Sequence, residues 1–372
     1  MSYSLHIGPN IRKSPYFDAT VAAGVRSFSV YNHMYIPGSF GDPDAEYDRL
    51  LTGVAQWDVA AQRQVELRGP DAAALAQYLT TRDISRTAVG QARYVAICDH
   101  DGMLINDPVM LKLAEDRFWF SIADSDIELW AKAVARERGM DVEVFEADAS
   151  PMAIQGPKSF DVAESLFGAW IRDLKHFWFR ETELDGIPLV LCRAGWSKQG
   201  GFELYLTDHT RGTELWTRVA EAGAPFGIGP GAPNDTERLE SGLLSYGADC
   251  RRQTFPANPL ELGLERIVDL DGEDFIGRDA LRKVAADGPR RRYTGFYIDG
   301  PPVAGNQHPL PILSDGEAVG LLCEMAYSRR LGRNIGLGLI DIGHADGNGL
   351  SIPSSGEPRA LSISPLPFPA TT

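Results

Sequence analysis

Ser150-Pro151-Met152-Ala153-Ile154-Gln155-Gly156-Pro157, followed by a helical run from Ser159 to Phe167, echoes a stretch met earlier in the chain. That earlier stretch is Arg63-Gln64-Val65-Glu66-Leu67-Arg68-Gly69-Pro70, after which Asp71 opens an Ala/Leu-rich helix through Leu79. In both, a strand meets a Gly-Pro corner and turns into a helix. Glycine permits the sharp turn, and proline suits the first turn of a helix, where its missing N–H costs nothing. Gly69 and Gly156 stand 87 positions apart. Two such units predict an α+β fold made of duplicated halves packed face to face.

Composition bounds what such a fold can do. The chain has 372 residues, 44% hydrophobic and 23% charged, enough for a sizeable core in two or three domains. A net charge of -15 argues against nucleic acid as partner, because phosphate binding needs a basic face. Cys98, Cys192, Cys250 and Cys323 are widely scattered, so neither a structural metal nor a disulfide framework is expected. The N-terminal Met-Ser-Tyr-Ser-Leu-His has no signal-peptide pattern, and no apolar run approaches a membrane span. A cytoplasmic protein is expected.

Outward from the repeat, the segment to about Phe40 reads as irregular, broken by Pro15 and Pro37, with a strand at Ser27 to Tyr31. Helices are predicted over Asp44 to Val54, Ile127 to Arg138, Thr213 to Ala222 and Asp235 to Tyr246. Strands are predicted at Tyr94 to Cys98, Pro108 to Leu113, Trp119 to Ile122 and Phe202 to Leu206. From Tyr293 the pattern becomes short alternating runs parted by Gly and Pro, which suggests a compact barrel or sandwich. A linker is placed near 275–292, dividing residues 1–280 from a C-terminal domain of residues 281–372.

P-loop, dinucleotide-binding, nucleophile-elbow and zinc-protease signatures are all absent. What stands out is Gly195-Trp196-Ser197-Lys198-Gln199-Gly200-Gly201-Phe202-Glu203-Leu204-Tyr205. Its glycines let backbone approach a ligand, and strand alternation puts Phe202 and Leu204 on one face, Glu203 and Tyr205 on the other. A carboxylate beside an aromatic ring can hold a planar, donor-rich heterocycle such as a pterin. The same stretch reads equally well as a Gly-rich hairpin whose Trp and Tyr are ordinary core residues.

This stretch resembles the folate-binding signature of the aminomethyltransferase family, the T proteins of the glycine cleavage system. Trp57-Asp58-Val59, Leu67-Arg68-Gly69-Pro70-Asp71 and the run from Glu237 to Gly247 agree with it in order. Val30-Tyr31-Asn32-His33-Met34, Gln62-Arg63-Gln64-Val65, Asn106-Asp107-Pro108-Val109 and Ala153 to Phe160 are similar to one branch, the dimethylsulfoniopropionate demethylases. The resemblance implies a three-lobed cloverleaf of duplicated α+β domains around a central folate channel, with a C-terminal β-barrel. It implies tetrahydrofolate as cofactor, a small sulfonium substrate and methyl transfer between them, and it allows a homodimer.

The resemblance also implies site roles. Glu203, Tyr205 and Phe177 fall at folate-binding positions, and Tyr31, Ser121, Trp196 and Lys198 around the substrate. Tyr31, Trp196 and Tyr205 are candidates for an aromatic cage around a cation, though each also reads as a buried aromatic. Asp107 and Tyr205 are the catalytic candidates, with Asp107 orienting folate N5 or taking its proton. His33 reads as structural. Two departures from the aminomethyl enzymes stand out: Asn106 where they carry an essential Asp, and Asn234 where they carry an Arg. Alternatives are demethylation of a betaine or dimethylglycine, and aminomethyl transfer itself.

Overall fold

The computed structural model describes residues 7–369. By internal contacts the chain forms two compact units. One holds the chain through Ala76 with Ser85–Tyr94 and Pro108–Pro233. The other holds Gln77–Ile84, Val95–Asp107 and the chain from Asn234 onward.

The first unit contains two large sheets. In one the strands run in the order Glu143–Glu146, Gln64–Arg68, Arg117–Ser121, Val109–Ala114 and Ala92–Tyr94, every neighbour antiparallel. In the other the order is Phe179–Leu184, Ile187–Cys192, Gly201–Leu206, Ser150–Gln155, Val54–Asp58 and Ile228–Gly231. Only the last strand of this second sheet pairs in parallel, with Val54–Asp58.

The duplication read from the two Gly-Pro corners extends down to single hydrogen bonds. Gly69 donates its N–H to the Asp116 carbonyl at 3.0 Å, and Asp71 to Asp141 at 3.1 Å. At the equivalent corner Gly156 donates to Gly200 at 2.9 Å and Lys158 to Gly53 at 3.0 Å. In each half the acceptors lie just before the two strands that flank the central one. Both glycines have positive φ, +138° and +128°, and a side chain at either would strike backbone. The helices Ala72–Leu79 and Ser159–Phe167 then begin where predicted. One asymmetry remains. Val54–Asp58 takes the place beside Ser150–Gln155 that Glu143–Glu146 has beside Gln64–Arg68, which leaves Ile228–Gly231 at the edge.

The two sheets face each other across a core to which both contribute. Ala92, Leu111, Leu113 and Trp119 come from one sheet, and Phe179, Val190, Cys192 and Tyr205 from the other. The opposite face of the second sheet, with Met152, Ile154, Phe202 and Leu204, is covered by residues of the helices Phe17–Ala22, Ser159–Phe167 and Gly212–Gly223. A sheet covered on both faces has no solvent side, and all six residues of Gly201–Leu206 are buried.

In the second unit Arg291–Ile298, Arg333–Asp341, Glu317–Ser328, Leu310–Ser314, Leu350–Ile352 and Arg359–Ser364 close into a barrel. The helix predicted to reach Tyr246 spans only Asp235–Ser241, because Gly242 adopts φ +63° and ends it. Asn234 caps its start, accepting from the Glu237 N–H at 2.9 Å.

Other expectations are corrected. The segment expected to be irregular apart from the strand Ser27–Tyr31, which forms, also contains the helix Phe17–Ala22 and a partner strand Met34–Ser39 that makes a hairpin with it. The strand predicted at Tyr94 to Cys98 is split into Ala92–Tyr94 and Ile97–Cys98. The stretch near 275–292 is no bare linker: it carries the helix Arg278–Asp287, and Phe275 and Ile276 are buried.

Candidate functional site

Strand alternation sets the centre of the site. Glu203 and Tyr205 project toward the facing sheet, Phe202 and Leu204 toward the helices. Both polar residues are buried, and the Tyr205 hydroxyl donates to Glu203 Oε2 at 2.7 Å. Burial pushes the Glu203 carboxyl above its ordinary range, and the tyrosine donor pulls part of the way back. Burial likewise raises the Tyr205 hydroxyl, reinforced by the charges of Glu203 and Cys192, while the Ser121 hydroxyl bonds to it and opposes the shift.

The facing sheet supplies what lies around this pair. Trp119 packs against Tyr205 with ring centroids 6.2 Å apart and planes at 48°. Its indole N–H donates to Glu66 Oε2 at 2.7 Å, and Arg117 and Arg68 donate to Glu66 Oε1 at 2.9 and 2.7 Å. Burial works against the Glu66 charge, but the donors from Arg117, Trp119 and Arg68 prevail and hold its carboxyl below the usual range. Ser121 lies opposite Gln64 across the strands, and Gln64 Nε2 donates to its hydroxyl at 3.1 Å.

Tyr31 ends the first strand of the N-terminal hairpin and is half-buried. Asn32 and His33 form the two-residue turn, both with positive φ, +48° and +62°. Asn32 Nδ2 donates to the carbonyls of Ala61 and Ala123, each at 3.0 Å, which ties the turn to the end of the Ser121 strand. Tyr31 and Ser121 are thereby held on neighbouring backbone. His33 is an exposed turn residue whose Nε2 lies 3.5 Å from Asp126.

Phe177 packs against the inter-sheet core that contains Tyr205. Its backbone joins the two sheets, accepting from the Ala92 N–H at 2.7 Å and donating to Arg193 at 2.9 Å. It holds φ +57°, a conformation costly for a bulky side chain. The His176 ring sits 4.3 Å from that of Phe177. Burial and the charges of Arg193 and Lys198 lower the His176 pKa, which places exposed Lys198 on this side of the unit.

The Gly-rich stretch has a cause the sequence reading did not supply. Gln155 Nε2 donates to the Ala194 carbonyl at 3.1 Å, and Ser197 donates to Gln155 Oε1 at 2.8 Å. A Cβ on Gly195 would stand 1.9 Å from that amide, and one on Gly201 2.2 Å from the Ile154 carbonyl. These two glycines let the loop close over Gln155. The loop so pinned carries Trp196, which is half-buried.

Asp107 belongs to the second unit, half-buried, where its charge acts on Tyr246 and Cys250. Asn106 beside it is fully buried. A cavity of about 400 Å³ in the second unit is lined by Arg251, Phe255, His308 and Glu324 among others, and by none of the candidates. Among the described residues no group of three or more His, Cys, Asp or Glu could hold a metal ion, and no helix is long and apolar enough to cross a membrane.

Sequence reasoning missed Gln64, Glu66, Trp119 and Gln155. The one signal was a carboxylate at the centre of a strand, Glu66, which alternation alone sends to solvent.

Comparison with known proteins agrees with this architecture. Residues 16–272 match the GCVT N-terminal domain family and residues 291–369 the glycine cleavage T-protein C-terminal barrel domain. The chain is 40% identical over 356 residues to the dimethylsulfoniopropionate demethylase DmdA of Ruegeria pomeroyi, covering 95% of this chain and 96% of that one. It is 30% identical to an aminomethyltransferase of Rubrobacter xylanophilus, covering 96% and 94%. The crystal structure of the glycine cleavage aminomethyltransferase T of Bartonella henselae superposes with a TM-score of 0.84 at 20% identity, covering 96% of this chain and 98% of that one. That last likeness speaks to the fold.

Proposed function

We propose, on the premise that this chain belongs to the glycine cleavage T-protein family, that it demethylates dimethylsulfoniopropionate to 3-methylthiopropionate. It is a methyltransferase with tetrahydrofolate as acceptor, which leaves as 5-methyltetrahydrofolate. Likeness to a dimethylsulfoniopropionate demethylase along nearly the whole chain supports the substrate. The observation that carries the site is the buried Glu203–Tyr205 pair between the two sheets.

The residues present fit a reduced pterin. Glu203 is a buried acceptor with one partner of its own chain on Oε2, suited to the donor-rich edge of the heterocycle. Phe177 offers a ring at the same core. Bound tetrahydrofolate supplies the nucleophilic N5 that receives the methyl group.

A sulfonium methyl is already activated, since its leaving group departs as a neutral thioether. The protein therefore needs alignment and exclusion of water more than strong acids or bases, and alignment can supply ~7–11 kcal/mol of the barrier. Trp196, Tyr31 and Tyr205 hold the cation against ring faces, each contributing roughly 0.5–2 kcal/mol. Ser121 lines the substrate side of the site and Lys198 balances the substrate carboxylate. Asp107 takes or steers the N5 proton. Residues 1–280 bind folate and substrate in this scheme, and residues 281–372 form the barrel domain. The scheme allows a homodimer, and it places the enzyme in the cytoplasm, a setting suited to four free cysteines.

The test is methyl transfer to tetrahydrofolate from dimethylsulfoniopropionate, glycine betaine and dimethylglycine, with an aminomethyl-lipoyl carrier as a fourth donor. Methyltetrahydrofolate should form from the sulfonium compound. Turnover of a nitrogen donor alone would remove the proposed substrate.

A further inference from the structure

Gln155 ends the strand Ser150–Gln155 and is fully buried. Across the strands Ala153 lies opposite Glu203 and Gln155 opposite Gly201, so alternation puts Gln155 on the face that carries Glu203 and Tyr205. Both ends of its amide are spent on one loop. Nε2 donates to the Ala194 carbonyl at 3.1 Å, and Oε1 accepts from the Ser197 hydroxyl at 2.8 Å. A carbonyl can only accept, so the Ala194 contact fixes which end of the amide is the NH2. Ser197 is then the donor at the other end. The Ser197 oxygen accepts in turn from the Gln199 N–H at 3.3 Å.

Trp196 stands between the two anchored residues. Backbone is held before it at Ala194 and after it at Ser197, which leaves the indole little beyond its own side-chain torsions. The amide is not needed to close the loop. Its far end is already fastened by the Gly156 N–H donating to the Gly200 carbonyl at 2.9 Å and by the pairing of Gln155 with Gly201. A buried amide is costly unless satisfied, and an apolar side chain of the same length carries no such demand. What the amide adds here is restraint around Trp196.

We propose that Gln155 is a positioning residue for the sulfonium substrate: its buried amide, bonded on either side of Trp196, holds that ring where the cation lies against it. This rests on the reading of Trp196 as part of the cage. Attraction between a cation and a ring requires the charge to lie over the ring face. A ring fixed in advance also loses less freedom when the substrate arrives. Released from Gln155, the loop lets the ring drift, and the cation is held more weakly. Folate, bound at Glu203, is unaffected.

The experiment measures kcat and the KM values for dimethylsulfoniopropionate and tetrahydrofolate in the wild type, Gln155→Met, Ser197→Ala, Trp196→Ala and Trp196→Ala combined with Gln155→Met. Gln155→Met keeps the length of the side chain and removes both bonds, whereas Ser197→Ala removes one. Gln155→Met should raise the sulfonium KM about three- to tenfold and Ser197→Ala by less, neither exceeding Trp196→Ala. The tetrahydrofolate KM should not change. With the ring already gone, Gln155→Met should add nothing further to the sulfonium KM. A glutamine that only stabilises the fold would instead lower kcat through the active fraction and leave both KM values alone. No methyl transfer from the sulfonium compound in the wild type, or an unchanged sulfonium KM in Trp196→Ala, rejects the reading on which this rests. With that reading intact, an unchanged sulfonium KM in Gln155→Met and Ser197→Ala overturns the inference. So does an equal rise in the tetrahydrofolate KM, or a Gln155 effect that persists undiminished beside Trp196→Ala. If Gln155→Met does not fold, Ser197→Ala decides by the same criteria, alone and beside Trp196→Ala.

Discussion

Glu203 and Tyr205 act as a pair because both are sealed between sheets and each is the other's partner. A charge-assisted hydrogen bond contributes about 1.5–3 kcal/mol, so Glu203→Gln should weaken tetrahydrofolate binding by roughly 10- to 100-fold. Isothermal titration with the unmodified cofactor checks this. The pH dependence has a definite sign. The Glu203 carboxyl is raised, so the ionised form, and with it folate affinity, should be lost at higher pH than an ordinary carboxylate would dictate. Trp196→Ala tests a different residue for a different ligand. It should weaken the sulfonium compound by roughly 2- to 30-fold, the size of one cation–ring contact, and leave folate affinity in place. Unchanged affinity for the cation would take Trp196 out of the cage.

The Gly-Pro corners are where single residues become elements. A Cβ on Gly156 would stand 2.5 Å from the Gly53 carbonyl, and one on Gly69 2.8 Å from that of Asp141. Neither backbone atom can swing aside as a side-chain tip can. Gly156→Ala should therefore destabilise by about 2–3 kcal/mol and Gly69→Ala by somewhat less, from positive φ and overlap together. Urea denaturation gives both values, and the reverse order would contradict the contact geometry. These corners were legible because Gly and Pro carry backbone information in their own chemistry. The end of the Asp235–Ser241 helix was less so. Leu243 and Tyr246 continued the apolar spacing, while a left-handed Gly242 had already stopped it. The hairpin tip was hidden for a similar reason: only the positive φ values of Asn32 and His33 place them in a two-residue turn.

Stability of the whole protein carries the cost of its buried acids. Asp58 is fully buried, accepts from Ser14 at 2.5 Å and from the Ala60 N–H at 3.1 Å, yet burial pushes its pKa from 3.8 to about 6. Between those values the folded state holds a proton the unfolded state has lost, so stability must fall as pH rises through that window. The loss is about 3 kcal/mol and is complete above the folded pKa. Asp58→Asn should flatten that part of the profile, as denaturation midpoints at several pH values between 4 and 7.5 would show. A wild-type profile that rises through the same window would refute the assignment.

Local chemistry determined the strand-corner-helix units, their duplication and the faces of the Gly201–Leu206 strand. Those are properties of φ preference and of period-two alternation, which each segment carries whatever surrounds it. Only the tertiary structure decided that Gln64 and Glu66 lie inside rather than in water, that Gln155 explains Gly195 and Gly201, and that Val54–Asp58 crosses into the second sheet. Each of these depends on which strand lies beside or opposite another. Alternation says which residues share a face, and the packing partner alone says whether that face is wet or buried.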